Sequence, residues 1–145
     1  MRVICKLNDP SNTPSNIPDN FDFGLEIGKQ YTVMGMLTFK ESGHLYFLVD
    51  ECSRPSWFPH QLFTISNSQL PKNWFVNINE DRTDVDFHNL IGFYELCNDV
   101  DFFNNLLERE EETMRIYFRR KMELEKELAE RDSEEDNEAL GSKLV

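Results

Sequence analysis

Three histidines, three cysteines and a few neighbouring carboxylates are the residues of this chain whose types could do chemistry. His44, His60 and His88 stand in separate segments with no Glu or Cys at ligand spacing, so no metal site and no cofactor are expected. Cys52 and His60 would make a nucleophile and its base if the fold brought them together. Cys52, however, closes a strand at a loop, where a small structural residue is the commoner role. Cys5, Cys52 and Cys97 are odd in number and form no CxxC, which reads as reduced thiols, mostly buried. Asp50, Glu51, Asp84 and Asp86 offer carboxylate pairs for glycosidase-like acid–base work, but an acidic chain produces such pairs by chance. Gly24, Gly28, Gly35 and Gly43 match neither a phosphate loop nor a dinucleotide fingerprint. On spacing alone the chain is not expected to be an enzyme.

Charge says more. The chain has 27 acidic against 15 basic residues, a formal net charge of -12, and its acids crowd residues 98–140. Such a surface repels phosphate and attracts a basic protein, so nucleic acid is not an expected partner. A length of 145 residues suits one domain with a modest core. No apolar run approaches the roughly 18 to 20 residues of a membrane span, and the N-terminus lacks a signal-peptide core, so a cytoplasmic protein that binds no membrane is expected.

The elements that must position these residues begin with a strand over 2–7, which stops at Asn8-Asp9-Pro10. Pro10, Pro14 and Pro18 make 10–20 a loop. Residues 31–39 and 44–50, reversed through Glu41-Ser42-Gly43, read as a hairpin, and Gly35 in mid-strand suggests a bulge or sharp bend. The prolines of 54–59 predict a loop packed by Trp57 and Phe58, with further strands over 62–65 and 73–78. Five short strands within residues 1–80 predict a small antiparallel SH3-like β-barrel, hence an α+β chain with C-terminal helices over 81–131. Residues 90–96 are apolar and ambiguous between strand and helix. Asn98 or Asp99 is a suitable N-cap for a helix over 100–108. In the long helix that follows, Met114, Tyr117, Phe118, Met122, Leu124 and Leu128 share one stripe and Ile116 falls outside it. Glu111/Arg115, Arg119/Glu123, Lys121/Glu125 and Lys126/Glu130 stand four apart, each pair worth about 0.3 to 0.5 kcal/mol. Residues 132–145 are expected to be a disordered acidic tail, with 141–145 read as a cloning scar. Ile116 alone is slim material for self-association, so a monomer is expected.

The segments Gly28-Lys29-Gln30-Tyr31-Thr32-Val33-Met34-Gly35-Met36, Leu45-Tyr46-Phe47-Leu48-Val49-Asp50-Glu51 and Pro55-Ser56-Trp57-Phe58-Pro59 with Leu62-Phe63, and Gly92-Phe93-Tyr94-Glu95-Leu96 with Leu107-Glu108-Arg109-Glu110, carry a resemblance over about residues 5–121. The chain resembles small uncharacterised bacterial barrel-plus-helix proteins, which are similar to immunity proteins of contact-dependent or polymorphic toxin systems. The resemblance implies an inhibitor that neutralises a cognate toxin, with no catalytic residue to carry over. The charge adds that the toxin would be basic, a nuclease for example, met by Asp81, Asp84, Asp86, Glu108, Glu111 and Glu112. The alternative is an SH3-like adaptor that binds a peptide or protein through Trp57 and Phe58.

Overall fold

Residues 45–51 are apolar on both faces, and that property sets the architecture. In the computed structural model, which describes residues 1–8, 22–79 and 83–143 with side chains to 138, Tyr46 and Leu48 enter one buried cluster while Phe47 and Val49 enter another. A strand buried on both faces needs a layer on each side. The chain supplies them as β1 (Arg2–Cys5), β2 (Gln30–Thr32), β3 (Gly35–Phe39), β4 (Leu45–Glu51), β5 (Arg54–Pro59), β6 (Phe63–Asn67), β7 (Phe75–Ile78), β8 (Phe87–Gly92), α1 (Tyr94–Asn98), α2 (Phe102–Leu107) and α3 (Glu111–Lys143).

The larger sheet runs β5-β4-β3-β8-β7 and the smaller β2-β1-β6, with every pairing antiparallel. Val3, Tyr31, Phe47, Val49 and Phe63 fill the space between the sheets, while Leu37, Leu48, Leu90, Leu96, Tyr117 and Leu128 lie between the larger sheet and the helices. The fold is therefore α+β as expected, but the described strands form two open sheets and not a closed barrel. The division occurs at Val33 and Met34, between β2 and β3. Val33 N donates to Met1 O at 3.0 Å and Met34 N to Leu48 O at 2.8 Å, so consecutive residues belong to different sheets.

Three further differences have local causes. Residues 54–59 form a strand despite Pro55 and Pro59, because β5 is the outermost strand and pairs with β4 alone. Residues 90–96 divide at Phe93 into the end of β8 and the start of α1, so the larger sheet extends past residue 80. The helix expected to fray after residue 131 continues to Lys143. The approach to that segment is tied down: Arg131 Nη1 donates to Leu70 O at 3.0 Å and Lys72 N to Glu127 Oε1 at 3.0 Å, while Leu128 is buried; within it Arg2 Nη1 donates to Asp132 Oδ2 at 3.1 Å and Gln69 Nε2 to Glu135 Oε1 at 3.5 Å. Glu, Ala and Leu also favour helix intrinsically.

Gly35 and Gly92 face one another in the β3–β8 register, and both lie under α1. A Cβ at Gly35 would stand 2.6 Å from Leu96 Cδ2, and one at Gly92 2.7 Å from the same atom. Gly35 thus opens β3 just after the chain turns from one sheet to the other, admits a helix at close range, and makes no bulge, since the register shift of β3 lies between Thr38 and Phe39. Across α3 the expected Glu111–Arg115 pair forms, at 2.6 Å. Lys121 instead reaches inward, its Nζ donating to Asp50 Oδ2 at 2.9 Å, and Arg120 Nε donates to Glu95 Oε1 at 2.7 Å while Nη1 pairs with Glu123 at 3.1 Å. Met114, Tyr117, Phe118, Leu124 and Leu128 face the core as expected, whereas Met122 is 72% exposed and Ile116, expected outside the stripe, packs on the core.

Candidate functional site

Two connections meet at one end of the larger sheet: the loop between β7 and β8, and the short turn between α1 and α2. Lys40 N donates to Asp86 O at 2.8 Å and Asn79 N to His88 O at 2.8 Å, fixing the loop against the sheet on both sides. Asp99 holds the helical turn, since its Oδ1 accepts from Asp101 N at 3.1 Å. Asn77 Nδ2 donates to Cys97 O at 2.8 Å and joins β7 to the end of α1.

Between them lies a cleft of about 210 Å³. Asp84, Val85 and Asp86 line it from the loop, Asp99, Val100, Phe103 and Asn104 from the helices, and Phe87, Leu90 and Leu96 from the core. Three carboxylates therefore face a small space whose described lining contains no Lys or Arg. Asn79, 4% exposed, also lines the cleft, and its Nδ2 has no hydrogen-bond partner among the described residues. Val100 is 75% exposed, and Val76 and Ile78 on the outermost strand β7 are 63% and 67% exposed.

The structure brings Asp84 and Asp86 together and adds Asp99, Val100, Asn77, Asn79 and Asn104. Asp81 lies outside the described residues. Glu108 is exposed just after α2, and Glu111 and Glu112 occupy the first turn of α3. The last two pair with Arg115 at 2.6 and 3.3 Å, and Glu111 borders a groove with Arg109, Arg115 and Arg119 around Met114, Phe118 and Met122. The five described carboxylates thus do not share one setting. Asp99 carried a sequence signal, two acids around an exposed valine at Asp99-Val100-Asp101, which helix-capping logic absorbed.

The other candidates are separated or enclosed. Cys52 lies in the β4–β5 turn with φ 50°, while His60 follows the far end of the six-residue strand β5. That strand spans on the order of 20 Å. Asp50 and Glu51 point to opposite faces of β4: Asp50 Oδ1 accepts from Tyr117 Oη at 2.9 Å, and Glu51 accepts from the Tyr31 hydroxyl and from Lys29 Nζ. Cys97 borders the cleft, with Sγ 3.4 Å from Phe75 O, and burial pushes its thiol up to about 11. It is therefore a protonated thiol at neutral pH, the unreactive form. Phe58 is buried and Trp57 packs on Phe103 with ring centroids 5.9 Å apart, so neither ring stands open as a peptide platform. Among the described residues no group of three or more His, Cys, Asp or Glu is placed to hold a metal ion, and no helix is long and apolar enough to cross a membrane. Comparison with protein-family models, with curated proteins and with solved structures finds no match to this chain.

Proposed function

We propose that this chain is a protein-binding module that captures a basic partner on the face around the cleft. The partner we infer is a bacterial toxin domain, a nuclease by preference, which the chain neutralises as an immunity protein by stoichiometric occlusion. The observation that carries the reading is the cleft itself: Asp86 and Asp99 around one hollow with no Lys or Arg in its described lining, beside the exposed Val100 and strand β7. Carboxylates in that arrangement take the place of substrate phosphates toward the Lys and Arg of a nuclease. Complementary charge of this kind accelerates encounter more than it deepens final affinity. The resemblance to immunity proteins supplies the biological class, and the burial of Phe58 weighs against the adaptor alternative.

The test is stopped-flow association and calorimetry with the C-terminal domain of whatever large secreted protein is encoded just upstream. Nanomolar affinity, loss of toxin activity at an equimolar ratio, and association that slows about tenfold between low and moderate salt are expected. D86N/D99N should slow association severalfold. No binding, or salt-independent kinetics unaffected by these substitutions, would overturn the proposal.

A further inference from the structure

Charge accounts for attraction to any basic surface, yet the cleft has size and polarity as well. At about 210 Å³ it falls below the roughly 300 Å³ at which small-molecule pockets begin, so it suits a single residue better than a cofactor or nucleotide. Val85 and Val100 give it apolar walls, and Asp86 and Asp99 stand beside them. Asn79 is the informative residue, because a buried amide donor without an acceptor among the described residues is a group that an incoming carbonyl would satisfy. A ligand that matches all three features carries an apolar stem, a cation with several donors and a neighbouring carbonyl. An arginine residue within a polypeptide has that combination.

We propose that the cleft is an anchor pocket for one arginine of an extended segment of the partner. Its main-chain carbonyl turns inward and accepts from Asn79 Nδ2, its methylenes lie on Val85 and Val100, and its guanidinium turns outward onto Asp86 and Asp99. Guanidinium is preferred over ammonium because its planar fork donates to two carboxylates at once. This assignment deepens the reading of the acidic face and names what the face recognises.

The experiment is a titration of the intact ¹⁵N-labelled chain with N-acetyl-arginine N-methylamide, followed by NMR. The uncharged N-acetyl-citrulline N-methylamide serves as the matched control. Saturable shifts of the Asn79 side-chain amide and of the Val85 and Val100 backbone amides are expected at millimolar probe. The citrulline analogue and the D86N/D99N variant should each bind at least tenfold more weakly, with the remaining spectrum of the variant unchanged. An unmoved Asn79 amide, or equal binding of the two analogues, overturns the pocket. If the pocket fails while the toxin domain still associates in a salt-dependent manner, the acidic-face reading stands without it. If the arginine probe binds there and the toxin domain does not bind, the pocket stands and the immunity reading falls.

Discussion

Asp50 and Asp86 belong to the same sheet and its margin, and they do opposite work. The Asp50 side chain is 9% exposed and accepts from Tyr117 Oη and Lys121 Nζ, both at 2.9 Å, so its charge fastens α3 to β4. Glu95 does the same for α1 through Arg120, and Glu51 gathers Tyr31 and Lys29. Asp86 and Asp99 line a cleft with no Lys or Arg in its described lining, and Lys40 borders the adjoining hollow that shares Val85 and Asp86. A net charge of -12 therefore sums two populations, one consumed by the fold and one presented outward. Only the second informs about a partner.

The contrast breaks most visibly at Asp50. D50A leaves Lys121 and the buried Tyr117 hydroxyl without their acceptor and should lower unfolding free energy by about 3 kcal/mol in urea titrations. A loss below about 1 kcal/mol would place Asp50 with the surface acids. E51Q comes next, with an effect that depends on pH. Hydrogen bonds from Tyr31 and then Lys29 hold the Glu51 carboxyl below its ordinary value of 4.5. The unfolded chain therefore takes up that proton first as pH falls, and the stabilisation, complete above the ordinary value, disappears through the lower folded one. Wild type should exceed E51Q in stability at pH 7, with the gap closing below pH 4.5; a gap constant down to the acid transition would refute this role. The smallest effect is that of D86N/D99N on folding, less than about 0.5 kcal/mol in the same titrations. A larger loss would move these two aspartates into the structural population.

How much of this was legible beforehand follows from the range of the interactions. The β3–β4 hairpin announces itself locally, through alternation along 45–51 and Gly43 at φ 68° in the reversal. Tyr117, Leu124 and Leu128 on the inner face of α3 follow from helical spacing alone. Arg120 and Lys121 were not readable in this way, because Lys121 turns to an acceptor 71 positions away and Arg120 adds one 25 positions away to its helix neighbour Glu123. The cleft was half legible. Asp84 and Asp86 signal themselves as a charged loop, whereas Asp99 and Asn79 acquire meaning only when α1 docks beside β7. The prolines of β5 misled for a related reason: a strand's place at the edge of a sheet is a property of topology, invisible in six residues.

The paired glycines under α1 have a consequence for how the chain finds its register. Gly35 and Gly92 come from strands far apart in sequence, and Leu96 settles only where both are opposite one another. A slip of β8 by one residue turns its apolar face outward, and a slip by two keeps the faces but can bring Leu90 opposite Gly35, filling the notch. The helix thus acts as a proofreader, seating only over a correctly aligned pair of strands, and the turn that carries Asp99 is delivered to Asp86 by the same check.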